Sequence, residues 1–196
     1  MKRLFDIVIA VTGLVLASPI MMAIAILIKI ESRGPIFYSC RRIGRGWKPF
    51  GMLKFRTMVD GAENLKQTLM ASNEMNGHIF KIEHDPRVTR LGAILRKSSL
   101  DEFPQFLNVM RGDMSLVGTR PPTVEEFREY EARHRCRLSI TPGVTGLWQV
   151  SGRSEIKDFE EIVQLDTEYI SNWSLLLDLH IILKTIVVVL RMHGSS

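Results

Sequence analysis

Residues 7–28 form one apolar run without a charged side chain, interrupted near its middle by Ser18-Pro19. A run of that length predicts a membrane-embedded helix. Both flanks are basic: Lys2 and Arg3 precede it, and Lys29, Arg33, Arg41, Arg42, Arg45 and Lys48 follow it. Positive charge beside an apolar segment favours the cytoplasmic side of a bilayer, so both ends ask for the same side. A helix bent at Pro19 meets that demand, because proline removes a backbone donor and clashes with the preceding turn. The Ser18 hydroxyl can then satisfy the freed carbonyl. Residues 1–32 are thus expected to form a re-entrant helix–break–helix hairpin that dips into one leaflet. A kinked spanning helix is the alternative. A signal sequence fits poorly, since proline directly follows Ala17-Ser18. Asp6 at the entry is expected to pair with Lys2 or Arg3 at headgroup level, because an acid deeper in hydrocarbon is costly.

Beyond the run, shorter patterns alternate. Residues 35–38 and 50–58 read as strands, separated by a basic, glycine-punctuated loop over 41–49. The second strand carries Lys54 and Arg56. Residues 60–70 read as a helix, 71–77 as loop, and 89–97 as a helix with Leu91, Ile94 and Leu95 on one face. A helix runs from Pro104 through Met110, then a short apolar piece over 116–122. Residues 124–137 look helical, 141–146 form a glycine-bearing loop, and 157–170 form a helix with Phe159, Ile162 and Tyr169 available for packing. The tail over 173–190 is apolar but holds Asp178, His180 and Lys184. It suits an interfacial amphipathic helix with Trp173 at headgroup level, with an ordinary core helix as the alternative. The expected fold is α/β, mostly helical with a small sheet: a compact cytoplasmic catalytic domain over 33–196 behind the membrane hairpin.

Charge sharpens this picture. The net charge of +5 beside an apolar helix suits anionic lipid headgroups or a phosphate-bearing substrate. Nucleic acid is disfavoured, because the basic residues form neither a recognition helix nor an aromatic-studded RNA motif. Cys40 and Cys136 are far apart in sequence and fit no metal spacing, which predicts reduced thiols. The histidines, His78 and His84 among them, show no metal-ligand pattern.

Asp101-Glu102 is the first place where chemistry collects. Ser99-x-x-Glu102 matches a capping box, a purely structural use. The same placement also serves function, since Pro104 suits a first helical turn and would set both acids at a helix N-terminus, where phosphate is favoured. A carboxylate can attack phosphorus as a covalent nucleophile, and its neighbour can hold a hard divalent cation. Arg96 lies five residues upstream, and Arg120 stands in a stiff Thr-Arg-Pro-Pro turn. Guanidinium groups bind phosphate through paired hydrogen bonds. Lys54 and Arg56 alternate on a strand and join them as candidate phosphate ligands.

These segments together resemble the monotopic phosphoglycosyl transferases, the bacterial sugar transferase family acting on polyprenol phosphate. The resemblance spans nearly the whole chain. It rests on the hairpin with Ser18-Pro19, on Lys54-Phe55-Arg56-Thr57-Met58, on Asp85-Pro86-Arg87-Val88-Thr89 and on Ser99-Leu100-Asp101-Glu102-Phe103-Pro104-Gln105. It continues through residues 108–118 and Thr141-Pro142-Gly143-Val144-Thr145-Gly146. One departure is Thr119-Arg120-Pro121 where the family usually has Pro-Arg-Pro. The resemblance implies that Asp101 attacks the sugar-linked phosphate of a UDP-sugar, that polyprenol phosphate then takes the phosphosugar, and that Glu102 binds Mg²⁺ or helps activate the acceptor. It implies that Arg96 and Arg120 steady the phosphates and that Asp178, with Arg153, lends support. It further implies residence at the cytoplasmic face of the bacterial inner membrane, admits a homodimer, and marks the chain as a short or a trimmed member. Glucose or galactose is the expected sugar, from residues 76–82. An acetamido-sugar donor, or a membrane-bound phosphatase or pyrophosphatase, is the competing reading.

Overall fold

The computed structural model describes residues 1–62, 85–152, 156 and 158–190. The expectations for residues 63–84, His78 and His84 included, and for Arg153 lie outside the described residues. A 30-residue helix, α1 (Lys2–Glu31), opens the chain. It continues through Pro19, where the sequence predicts two helices and a break. The Ser18 hydroxyl donates to Val15 O at 2.8 Å, the carbonyl that the missing Pro19 N–H would have served. A hairpin follows, β1 (Phe37–Ile43) and β2 (Pro49–Phe55), antiparallel from Phe37↔Phe55 to Ile43↔Pro49. The strand therefore runs through Arg41 and Arg42 into the stretch expected to be loop, and the turn shrinks to one 3₁₀ turn over Arg45–Trp47. Tertiary pairing extends it, with Arg42 bridging Thr123 and Ile43 N donating to Pro122 O.

The remaining elements wrap this frame. They are α2 (Arg90–Lys97), a 3₁₀ turn over Leu100–Glu102, α3 (Gln105–Arg111), β3 (Ser115–Val117) and α4 (Val124–Arg128). A 3₁₀ segment over Ala132–Leu138, β4 (Gly143–Thr145), α5 (Leu147–Val150), α6 (Phe159–Ser171) and α7 (Leu175–Leu190) complete it. Two expectations change. The helix over 124–137 divides in two, because Tyr130 turns inward to meet Arg137. The 141–146 loop contains β4, which pairs parallel with β3. Ile94 also departs from its expected face and stands exposed, while Gly92 and Leu95 are buried.

One inner stripe of α1 joins both hydrophobic clusters. Ala10 belongs with Met52, Val109, Leu116, Tyr169 and Ile181, while Ile24 and Ile28 pack on Phe55 and Leu95. The opposite stripe, including Leu4, Val15, Leu16, Met22 and Ile30, faces outward. On α7, Ile181 and Asp178 are fully buried while Leu176, Leu183 and Ile186 are exposed. Contiguous exposed apolar surface of this kind marks a membrane or partner contact.

Polar groups close both ends of α1. Asp6 is buried and accepts from the Ser115 hydroxyl at 2.8 Å and Leu116 N at 3.1 Å. The expected pair with Lys2 is present at 4.0 Å, longer than these hydrogen bonds, while Arg3 instead donates to the carbonyls of Val109 and Met110. Lys2 reaches Asp178 at 2.6 Å; that carboxylate also accepts from the Tyr169 hydroxyl at 2.6 Å and from Trp173 Nε1 at 3.2 Å. Burial and the Asp178 carboxylate push the Tyr169 phenol well above its ordinary range, so it stays a donor. At the other end, Leu91 N donates to Glu31 Oε1, and Arg56 donates to the carbonyls of Ser32 and Arg33.

Asp6→Ala leaves a buried hydroxyl and a buried N–H without their acceptor. The expected loss is about 1–3 kcal/mol, read as a lower thermal unfolding midpoint in detergent micelles. Leu16→Ala on the outward stripe is the control and should move the midpoint little.

Candidate active site

The site begins where α2 docks on the end of β2. Thr89 caps α2, its side chain accepting from Gly92 N at 2.9 Å. A Cβ at Gly92 would stand 2.0 Å from Thr57 O, so only glycine permits this approach. The close docking brings Arg96 to Thr57, Nε donating to Oγ1 at 3.0 Å. Ser99 then adopts φ 56°, a left-handed conformation usually given to glycine, which costs about 1–3 kcal/mol in a non-glycine residue. It turns the chain out of α2 and into the Leu100–Glu102 turn.

That turn corrects the capping-box reading. The Ser99 side chain makes no cap hydrogen bond, and Pro104, not Ser99, precedes α3. The Glu102 carboxylate instead receives Lys54 Nζ at 2.8 Å, and the same ammonium lies 3.3 Å from Asp101 Oδ2. Fully buried Asn108 sets this meeting. It accepts from Leu53 N at 2.9 Å and donates to Gly51 O at 2.8 Å, pinning β2 beside α3. Leu100 and Phe103, on either side of the acids, pack on the cluster containing Ile24 and Ile28 of α1. The two carboxylates therefore lie next to the apolar helix.

Burial raises the Asp101 carboxyl above its ordinary value; Lys54 pulls it down, and Glu102 adds to the rise. Burial lowers the Arg96 guanidinium, with Asp101 and Asp85 opposing. Asp85 is held below its ordinary range chiefly by Arg87, whose guanidinium donates to both carboxylate oxygens. A raised nucleophile set among cations suits attack on phosphorus. The carboxylate is a stronger base than a free aspartate, and the cations compensate phosphate charge.

The other candidates divide. Arg120 lies in the field of Glu102 and pairs with Glu126 at 3.1 Å. Burial works against its charge, and Glu126 more than restores it, leaving the guanidinium raised. Arg42 stands 3.9 Å from the same carboxylate. Arg56 is committed to capping the end of α1 and is not aimed with Lys54 at the acids; Asp178 anchors α1 to α7. Asn108, Glu126 and Arg42 escape sequence reasoning. A polar residue inside the apolar stretch Phe106-Leu107-Asn108-Val109-Met110 was the available signal for the first. For Mg²⁺, no three His, Cys, Asp or Glu side chains converge among the described residues. Asp101 and Glu102 nevertheless offer adjacent hard oxygens, which suffice for an ion that takes its other ligands from water and substrate phosphate.

The chain matches the sequence model described as bacterial sugar transferase over residues 1–192. It is 49% identical over 195 residues to the galactosyl transferase CpsE of Streptococcus agalactiae, covering 100% of this chain and 43% of that protein. It is 43% identical to the exopolysaccharide production protein ExoY of Sinorhizobium fredii, covering 99% of this chain and 87% of that protein. It is 41% identical to the undecaprenyl-phosphate galactose phosphotransferase of Salmonella typhimurium, covering 100% of this chain and 41% of that protein. The chain thus spans under half the length of the first and third of these relatives.

Because folding raises the Asp101 carboxyl, its ionised form costs stability above that titration, and the cost vanishes as pH falls below the ordinary carboxylate range. Asp101→Asn removes it. The variant should unfold at a higher temperature than the parent at pH 7, with the difference shrinking as pH falls towards 4. An equal or lower midpoint at pH 7 contradicts the assignment.

Proposed function

This chain belongs to the bacterial sugar transferase family, and from that premise we propose that it transfers a sugar 1-phosphate from a UDP-sugar to polyprenol phosphate at a membrane surface. The observation that carries the proposal is the placement of Asp101: buried, raised in pKa, beside Glu102 and Lys54, in a turn whose flanking side chains pack on the cluster that includes Ile24 and Ile28 of α1. An Asp101 oxygen attacks the sugar-linked phosphorus, the bond to the UMP oxygen breaks, and a phosphosugar ester forms on the carboxylate. An oxygen of polyprenol phosphate then attacks the same phosphorus, yielding polyprenyl diphosphate-sugar and freeing Asp101. No proton need move in either displacement, since both nucleophiles react as anions. Lys54 holds the two carboxylates apart from each other's repulsion. Arg96 and Arg120 bind phosphate oxygens. Mg²⁺, held by Glu102, would supply charge neutralisation for the diphosphate.

Galactose or glucose is the proposed sugar, galactose being supported by the names of the streptococcal and Salmonella relatives; the name of ExoY supports a place in exopolysaccharide assembly. The membrane placement we propose is re-entrant, with α1 bending at Pro19 inside one leaflet and the domain on the cytoplasmic face. Its support is geometric. Lys2 and Arg3 at one end, and Glu31 at the other, bond to the same folded body. A straight helix of this length, about 45 Å, would set its two ends on opposite sides of a hydrocarbon core about 30 Å thick.

Two outcomes test this reading. Incubation with UDP-galactose or UDP-glucose should leave a hexose-phosphate mass on the parent protein, with UMP released, and Asp101→Asn should do neither; an adduct on the Asn variant, or UDP-sugar hydrolysed without acceptor, sinks the mechanism. Single cysteines placed at Met1 and at Arg33, in a background lacking Cys40 and Cys136, should both be labelled by an impermeant maleimide from the cytoplasmic side alone. Labelling from opposite sides excludes the re-entrant placement.

A further inference from the structure

The turn that carries Arg120 is rigid. Pro121 and Pro122 restrict it, and the Thr119 hydroxyl donates to Arg137 O at 2.7 Å. Arg137 is itself held by a buried ion pair to Asp166 at 2.7 Å and lies over the Tyr130 and Phe159 rings. A stiff turn fixes a Cα position and leaves the guanidinium on a long, rotatable stem. That guanidinium lies in the field of Glu102, an oppositely charged member of the acidic pair. Unrestrained, that stem leaves the guanidinium without a fixed aim toward substrate phosphate.

Glu126 supplies the restraint. Arg120 donates from its two terminal nitrogens to Glu126 Oε2 at 3.1 Å and Oε1 at 3.4 Å, a fork-on-fork pair. The carboxylate is fixed independently of the arginine. Thr123 N donates to Oε2 at 2.9 Å, and Glu126 N donates to Thr123 Oγ1 at 3.0 Å, a complete capping box on α4. Arg42 adds a second cation 3.9 Å from Oε2 and donates to Pro121 O at 3.3 Å, tying β1 to the same turn. Burial and three basic or amide neighbours thus surround one acid that is used by none of the steps above.

We propose that Glu126 is a positioning residue of the transfer reaction: it locks the Arg120 guanidinium in one orientation and leaves its remaining N–H groups for substrate phosphate. The proposal rests on the reading of Arg120 as a phosphate ligand. Its chemistry differs from that of a binding group. Glu126 repels an anionic substrate, so removing it improves ground-state attraction while releasing Arg120 from its aim. Turnover should fall without any loss in donor binding.

The test is a double-mutant cycle on the full chain in detergent or nanodiscs, with UDP-galactose or UDP-glucose as donor, undecaprenyl phosphate as acceptor and UMP release as readout. Glu126→Ala should lower kcat by about 10- to 100-fold, the scale of a small misplacement of a catalytic partner, with the donor KM unchanged or lower. Glu126→Gln keeps the helix cap and one acceptor oxygen, and should recover part of the loss. Combined with Arg120→Ala, either variant should add no further loss, since both act through one group. Additive losses, a defect carried by KM alone, or parental kcat in Glu126→Ala overturns the inference. If Glu126→Ala does not fold, Glu126→Gln decides: parental kcat in that variant overturns it. Parental turnover in Arg120→Ala removes the underlying reading as well, whereas a severe Arg120 defect with an additive Glu126 defect removes this inference alone.

Discussion

An apolar helix that is protein core along one stripe and exposed along the other must have its polar ends closed, and much of this molecule is arranged to close them. The inner stripe of α1 enters both hydrophobic clusters. Its outer stripe is exposed among the described residues. Lys2, Arg3 and Asp6 at one end, and Glu31 with Arg56 at the other, then bind the body through hydrogen bonds. In a medium of low polarity, each of these groups left unpaired is costly. The buried carboxylates of Asp6 and Asp178 are accordingly surrounded by donors, and α1, α7 and β3 are joined at one corner.

The same constraint shapes the reactive turn. Burial raises the Asp101 carboxyl and Lys54 pulls it back toward its ionised form. Lys54 reaches both acids because it lies on a strand pinned by Asn108 to the helix that follows them. Ser99 in the left-handed region is the local cost of facing the turn this way. Its neighbours Leu100 and Phe103 pack on the cluster that Ile24 and Ile28 of α1 share with Phe55 and Leu95, which ties the acids to the core beside the apolar helix.

Charges elsewhere follow a related logic. Burial disfavours every isolated ion, so each buried arginine among the described residues has found a carboxylate, a ring or a row of carbonyls: Arg87 with Asp85, Arg137 with Asp166 and two rings, Arg56 with the end of α1; the half-buried Arg120 likewise meets Glu126. Basic residues that look equivalent in the sequence therefore divide into those that face the reactive acids and those that hold the frame. Lys54 and Arg56, two positions apart, fall on opposite sides of that division.

Local rules made much of this protein legible. An uncharged apolar run of about twenty residues with basic flanks announced the long apolar helix α1, since a run of that length and composition favours one continuous helix. The two strands near residues 35–38 and 50–58 and the helix α2 could be read from short windows, because propensity and turn signals act over a few residues. What short windows misjudged depends on partners far along the chain. Ser99-x-x-Glu102 has the residues of a capping box, but Lys54, 48 positions from Glu102, outcompetes the cap. Residues 41–43 look like loop and become strand through pairing with residues 49–51 and 122–123. Glu126 reads as one acid among several on a charged segment until the turn at Arg120 is folded against it. Sequence determined which residues carry charge and where the chain can bend; tertiary packing decided which charges meet, because burial makes the energy of an ion depend on neighbours that only the folded chain brings within reach.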